Sequence, residues 1–264
     1  MRYLIIPDVH GRDFWREPVA TALKDENTHI IFLGDYLDPY PDEFEKGVDY
    51  QEVAVLVFKD ILKLKEESPD KITLLLGNHD LEYAAGTEIC NCRRDRKRYD
   101  VLQKQFREKK GYFSLLKEVK QGDKRFIISH AGLSLEWAKK ANIGDFTKDN
   151  VVDYLNNAYL LMMDDIEPDA TPFGIALGYC SYYRGGYDRV SSVVWADVRE
   201  FVFNDVEDIG YQIFGHTRSY APIICEKFAM LDCSKAFYLN EDGSITESDG
   251  TVPKTFTFDE LRGN

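Results

Sequence analysis

The chain has 264 residues, 44% of them hydrophobic, and a formal net charge of −13. That length suits one large α/β domain spanning residues 1–264, and the apolar share excludes a disordered chain. The negative balance argues against nonspecific attachment to nucleic acid or an anionic membrane, and no stretch approaches the apolar length of a membrane span.

Short apolar runs bounded by Gly and Asp read as buried strands. In chain order they are Tyr3-Leu4-Ile5-Ile6, His29-Ile30-Ile31-Phe32-Leu33, Ile72-Thr73-Leu74-Leu75-Leu76, Phe126-Ile127-Ile128 and Tyr211-Gln212-Ile213-Phe214. Because the chain opens on the first of them, no leader peptide is expected before it. A helix is expected from about Val48 to Glu67, with Val53, Leu56, Val57, Ile61 and Leu64 on its apolar face and Ser68-Pro69-Asp70 at its end. A second, exposed helix is expected near Tyr99–Lys110. The basic run from Arg93 to Arg98 before it reads as a solvated helix start. A third helix is expected over Val151–Met163, with Thr147 as its cap. The stretch 134–190 reads as an insertion that selects substrate, and within it Pro168–Gly186 reads as a loop rich in Gly, Pro and Tyr. Ile223–Leu231 and Ala236–Leu239 read as paired strands joined by Asp232–Lys235, followed by a partly exposed tail from about residue 240.

Each early strand runs into a motif of carboxylates, asparagine or imidazoles. These are Asp8-Val9-His10-Gly11, Gly34-Asp35-Tyr36-Leu37-Asp38, Gly77-Asn78-His79-Asp80, Ser129-His130-Ala131-Gly132 and Gly215-His216-Thr217. Carboxyl ends of strands are where open α/β sheets build their sites. Oxygen and imidazole donors without thiolates suit manganese, iron or zinc. The donors Asp8, His10, Asp35, Asn78, His130 and His216 are too many for one ion with an open position and about right for two. Asp8 and His10, two apart at a strand end, can face one way and hold the same ion. Asp35 has two oxygens and is the natural bridge.

The ordered set DxH, GDxxD, GNH(D/E), His and GH resembles the calcineurin-like metallophosphoesterases, and its second and third motifs look most like the protein serine/threonine phosphatase branch. The resemblance runs from Asp8 to His216. It implies a four-layer α/β/β/α sandwich with two facing mixed β-sheets, and two divalent metal ions, manganese foremost, with iron or zinc as alternatives. It implies Asp8, His10 and Asp35 on the first ion, and Asp35, Asn78, His130 and His216 on the second. His79 would donate a proton to the leaving oxygen, oriented by Asp38, while a metal-bridging hydroxide attacks phosphorus in line. An imidazole paired with a carboxylate stays protonated near neutrality, so that role is chemically sound.

Two departures from the branch stand out. The phosphatases follow GDxxD with Arg-Gly, whereas this chain has Pro39-Tyr40-Pro41. Proline offers no charge and no donor. Arg184, beside two glycines and two tyrosines, is the favoured substitute for phosphate binding, with Arg12 and Arg218 as further candidates and Arg93 and Arg94 behind them. Thr217 stands where many diesterases have another histidine, which favours a phosphomonoesterase. The alternatives are a nucleotide, dinucleoside-polyphosphate or RNA-end phosphate hydrolase, a phosphodiesterase, or a metal-bound scaffold without catalysis. The expected partner is a phosphorylated substrate, either a phosphoprotein or a nucleotide phosphate.

The remaining residues carry plainer readings. His29 is expected at a strand edge, Trp195 in the core, and Asp80 and Glu82 in a polar helix start. Asp232 is expected either in a turn or orienting a histidine of the site. Cys90, Cys92, Cys180, Cys225 and Cys233 are odd in number and irregularly spaced, as expected of reduced thiols in a cytoplasmic protein.

Overall fold

The computed structural model describes residues 1–86, 93–141, 144–204 and 206–263. Cys90 and Cys92 lie outside the described residues. The first half alternates strand and helix: β1 (Arg2–Ile6), α1 (Arg16–Ala22), β2 (Thr28–Phe32), α2 (Tyr50–Glu67), β3 (Ile72–Leu75), α3 (Asn78–Ala85) and α4 (Tyr99–Glu108). Then come β4 (Phe113–Ser114), β5 (Leu116–Gln121), β6 (Lys124–Ser129), α5 (Leu135–Lys140), α6 (Val151–Met162), α7 (Pro172–Leu177) and α8 (Val198–Phe203). The chain closes with β7 (Tyr211–Phe214), β8 (Ile223–Ile224), β9 (Phe228–Met230), β10 (Phe237–Leu239), β11 (Ile245–Glu247) and α9 (Phe258–Arg262).

The strands form two mixed sheets, ordered β11-β10-β1-β2-β3-β4 and β5-β6-β7-β9-β8. Alternation along each strand gives every sheet two apolar faces. Ile5, Ile31, Leu33 and Leu75 of the first sheet region pack against Phe126, Ile128, Ile213 and Leu231 of the second, so the sheets face each other. On the far side of the first sheet, Leu4, Ile6, Ile30, Phe32 and Leu74 pack with α1 and α2. On the far side of the second, Phe214, Phe228 and Met230 pack with Val198, Phe201 and Val202 of α8 and with Phe258 and Leu261. The result is the expected four-layer α/β/β/α sandwich.

β1, β2 and β3 run parallel, as do β6, β7 and β9. Parallel strands deliver their carboxyl ends to one edge, which places the motif loops together.

Several local expectations are corrected. α2 buries Ala54, Val55, Val57, Phe58, Ile61 and Leu62, while Leu56 is 51% exposed; the stripe facing the sheet runs through Ala54, Phe58 and Ile61. α4 is not simply exposed, because Leu102 and Phe106 are buried. The residue before α6 is Asn150, and Thr147 instead exchanges hydrogen bonds with it, Thr147 N–H donating to Asn150 Oδ1 at 2.7 Å. The Pro168–Gly186 stretch contains a proper helix, α7, capped by Thr171 accepting from Gly174 N–H at 3.0 Å.

His29 is inside β2, between β1 and β3, and pairs through Nε2 with Thr73 Oγ1 at 2.8 Å. The expected hairpin of Ile223–Leu231 with Ala236–Leu239 does not form. β9 pairs with β7 and β8, whereas β10 pairs with β1, so Asp232–Lys235 crosses between the sheets. Two apolar strands near in sequence read as a hairpin, but each finds more buried surface in a different sheet. From Asn240 onward the chain adds β11 to the edge of the first sheet, and α9 packs near α8.

Phe58 is fully buried and stacks with Tyr36 at 5.3 Å and Phe106 at 4.8 Å. Phe58→Ala is expected to cost about 3–5 kcal/mol of stability, since the cavity cannot be filled by these rigid rings. Urea unfolding tests this, and a loss below about 1 kcal/mol would show that the site collapses.

Candidate metal centre

Six loops at the carboxyl ends of β1, β2, β3, β6, β7 and β9 converge on one edge. They are stitched by backbone bonds: His10 N–H donates to Asp35 O at 2.7 Å and Gly215 N–H to His130 O at 2.7 Å. Among the described non-glycine residues with positive φ, four are His10 (45°), Asp35 (51°), Asp38 (57°) and His216 (65°). Left-handed backbone concentrated at side chains of one cluster marks loops shaped for a task and held by their surroundings.

Two groups of buried ligand atoms lie within 4.8 Å of one another: Asp8, Asp35, His130 and His216, and His10, Asp35 and His79. Asp35 is common to both. Asn78 Oδ1 adds a neutral oxygen 3.1 Å from His130 Nε2, and His130 Nε2 is 3.1 Å from His216 Nδ1. The structure thus brings together every donor singled out in the sequence, although Asp8 and His10 fall in different groups.

The hydrogen bonds fix which nitrogen faces inward. His10 Nδ1 donates to Leu37 O at 2.8 Å, and His130 Nδ1 donates to Leu33 O at 3.0 Å. A carbonyl only accepts, so each Nδ1 carries a proton and each Nε2 is the nitrogen that faces inward. The inner faces therefore present carboxylate oxygens, an amide oxygen and imidazole lone pairs, acceptors pointing at acceptors. Such a set is satisfied by cations. Burial pushes His10 down to about 3 and His216 well below the ordinary histidine value, keeping both neutral as ligands must be. Burial pushes the Asp8 carboxyl up. It acts the same way on Asp35, but His130, His79 and the bond accepted from His79 N–H outweigh it and hold that carboxyl below its usual value. These residues fit divalent ions.

Two glycines make room. A Cβ on Gly77 would fall 2.0 Å from Asp35 Oδ1, and one on Gly215 would fall 2.3 Å from Asp8 Oδ1. Gly77→Ala is therefore expected to displace the Asp35 carboxylate and remove at least one bound ion while the fold persists. Metal content beside a circular-dichroism melt tests it; full ion content in the variant would show that the loop yields instead.

His79 lies in the second group, and its other nitrogen is held from outside the cluster. Its Nδ1 is 2.8 Å from Asp38 Oδ2, and Tyr83 O–H donates to Asp38 Oδ1 at 2.6 Å. Tyr83 in turn accepts from Asp95 N–H at 2.8 Å. Asp38 is fully buried, so this chain locks the ring. Burial would lower His79, yet Asp35 and the Asp38 bond outweigh it and raise its pKa.

Other residues were read too plainly in sequence. Asp80 is fully buried and accepts from Asp35 N–H at 2.7 Å, Gly77 N–H at 2.9 Å and Tyr36 N–H at 3.0 Å, clamping two motif loops. Its place three residues after Gly77, at a helix start, was the available signal. Trp195, expected in the core, is half-buried against it and also meets the His216 ring at right angles at 5.6 Å. Asp232 is buried in the field of Asp8 and Arg12, and its backbone oxygen accepts from Ser219 N–H at 2.9 Å.

Of the arginines, Arg184 donates through Nη2 to Thr217 Oγ1 at 2.8 Å and to His216 O at 3.2 Å, and pairs through Nε with Asp197 at 2.9 Å. Arg12 donates to Asp8 O at 3.3 Å. Arg12 and Arg218 both reach Glu43, and Arg94 pairs with Glu82. The basic run is thus solvated only in part: Arg96 and Lys97 are exposed, whereas Arg93 donates to Asp38 O at 2.6 Å and Arg98 pairs with Asp95 at 2.7 Å.

The chain matches the family described as calcineurin-like phosphoesterase over residues 1–220. No curated protein matches it in sequence. Among solved structures it is similar to a cold-active protein-tyrosine phosphatase of a psychrophilic Shewanella species, at 14% identity and TM-score 0.57, covering 93% of this chain and 80% of that one. A point mutant of a cold-active protein tyrosine phosphatase gives 15% identity and TM-score 0.54 with the same coverages, 93% and 80%. A protein serine/threonine phosphatase from Saccharomyces cerevisiae gives 12% identity and TM-score 0.45, covering 90% of this chain and 72% of that one. For the two cold-active phosphatase structures the likeness is one of fold. Among the described residues, no helix is long and apolar enough to cross a membrane.

Proposed function

The chain belongs to the calcineurin-like phosphoesterase family, a family of metal-dependent hydrolases of phosphoric esters that use a pair of divalent ions, and from that premise we propose that it is a phosphomonoesterase of the protein-phosphatase-like kind. Asp8, His10, Asp35, Asn78, His130 and His216 hold the ions in this reading, with Asp35 shared. Manganese is the first choice and iron or zinc the alternatives, since oxygen and imidazole donors suit all three. Bound there, the ions supply positive charge to the phosphoryl oxygens and lower the pKa of bound water.

The single observation that carries the catalytic part is the buried chain Tyr83–Asp38–His79. A carboxylate on Nδ1 keeps the imidazole protonated and aims Nε2 at the cluster, as a donor to a leaving alkoxide requires. Arg184, immobilised by Asp197 and Thr217 beside His216, contributes a guanidinium to the phosphoryl oxygens. Thr217 supports the monoester choice, because it binds Arg184 at the position where a further imidazole would serve a diester. The substrate in this reading is a phosphoprotein or a nucleotide phosphate, and the cell compartment is the cytoplasm.

Hydrolysis of p-nitrophenyl phosphate against bis-p-nitrophenyl phosphate by manganese-loaded protein tests the proposal. The monoester is expected to lead by about tenfold or more in kcat/KM. A lead for the diester would make the protein a phosphodiesterase, and inertness toward both with two ions bound would point to a scaffold.

A further inference from the structure

Where the resembled phosphatases carry Arg-Gly, this chain carries Pro39-Tyr40-Pro41. The region is nevertheless rich in positive charge. Three guanidinium groups surround the Tyr40 ring: Arg93 with its Cζ 3.8 Å from the ring centroid, Arg218 at 4.6 Å and Arg12 at 5.4 Å. The same ring meets His10 edge-on at 5.1 Å, so the cluster borders the metal centre directly. The arginines come from three separate loops, those after β1, α3 and β7.

Each is held rather than free. Glu43 takes a fork from Arg12, at 2.8 and 3.0 Å, and a third bond from Arg218 at 2.6 Å. Arg93 is fixed by the backbone oxygens of Asp38 and Pro39, which orient it without cancelling its charge. The carboxylates of Glu43, Asp232 and Asp8 all face Arg12, so the guanidiniums are braced by acids at the border of the centre. Fixed guanidiniums with donors to spare match phosphoryl oxygens in geometry and charge. Arg184 stands on the His216 side of the centre, whereas the Tyr40 cluster stands on the His10 side. A group bound there lies beyond the phosphoryl group being cleaved.

We propose that Arg12, Arg93 and Arg218, gathered round Tyr40 beside His10, form a subsite for a second phosphoryl group, so that the preferred substrate carries two. The proposal rests on reading the adjacent centre as a phosphoesterase site. Tyr40 is the platform, and Glu43 sets the spacing of Arg12 and Arg218.

The test compares phosphate release by the manganese-loaded full chain from propyl phosphate, propane-1,3-diol bisphosphate and propyl diphosphate. One doubly phosphorylated probe is expected to lead the monophosphate by about tenfold or more in kcat/KM, the worth of one charge-assisted hydrogen bond. Which probe leads tells separately esterified phosphates from an anhydride. Arg218→Gln and Arg93→Gln are expected to bring that ratio toward one; Arg218 is exposed, so its replacement does not threaten the fold. A wild-type ratio near one, or variants that lower all three substrates equally, would overturn the subsite while leaving the hydrolase reading intact. Calorimetric binding of the same probes separates the other case. No turnover, with tighter binding of a doubly phosphorylated probe that depends on Arg218, would keep the subsite and remove the hydrolase reading.

Discussion

Asp35→Asn is expected to lose one of two bound ions and to slow phosphate-ester hydrolysis on the order of a thousandfold. The carboxylate is common to both donor groups and sits in contact range of His10 and His130, at 3.4 and 3.5 Å. The amide keeps the shape and can still accept from His79 N–H, a bond of 3.0 Å in the native protein, so the loop should hold. What is lost is one negative charge and one of two equivalent oxygens. Bound ions contribute several kcal/mol to the charged transition state, and each ~1.4 kcal/mol is tenfold in rate. Metal stoichiometry and kcat measured together decide the point. Two ions still bound in the variant would remove Asp35 as the shared ligand, whatever the rate.

His79→Ala is expected to retain both ions and to lose about 10²–10⁴-fold in kcat on an alkyl phosphate, the usual span for a proton donor. The loss on p-nitrophenyl phosphate should be smaller, because that leaving group departs without a proton. Near-normal turnover of the alkyl ester would end the donor role. The pH profile gives a second reading. A donor must be protonated, so the rate on the alkyl ester holds below its pKa and falls as pH rises through it. Burial works against the protonated ring, while Asp35 and the Asp38 bond raise its pKa. Asp38→Asn removes the partner 2.8 Å from Nδ1 and should move the alkaline limb to lower pH. A limb that stays put would assign that ionisation elsewhere.

The two variants separate holding from proton transfer. Asp35 should change ion content and rate together. His79 should change rate and leaving-group dependence while ion content stays fixed. A protein in which these polypeptide roles were merged would fail one comparison and pass the other.

Much of this centre could be read from sequence, because its donors are local to strand ends. Asp8 and His10 follow β1 by a few residues, and Asp35, Asn78, His130 and His216 follow their strands as closely. Apolar runs of period two locate such strands, and the polar residue types at their ends declare the chemistry. The four-layer arrangement came through the family resemblance, since periodicity marks which faces are apolar but not which face meets which.

Other features depend on partners far along the chain. Tyr83 reaches Asp38 across 45 positions, Asp80 clamps Asp35 across 45, and Glu43 meets Arg218 across 175. No spacing rule connects such pairs, so Asp80 read as a helix start and the arginines as a solvated run. β9 and β10 read as a hairpin because they are close in sequence. They separated because β10 completes the sheet of β1 while β9 completes that of β7.

The sequence by itself determined the α/β class and offered a set of candidate donors at strand ends, because side-chain chemistry and strand periodicity are written locally; the pairing of His79 with Asp38 was implied by the family resemblance. Only the tertiary structure decided which nitrogen of each imidazole faces inward, where Tyr40 gathers its arginines, and how Asp35 comes to serve two groups. Those facts follow from loops of different strands meeting at one edge, and their distances arise only when the sheets pack.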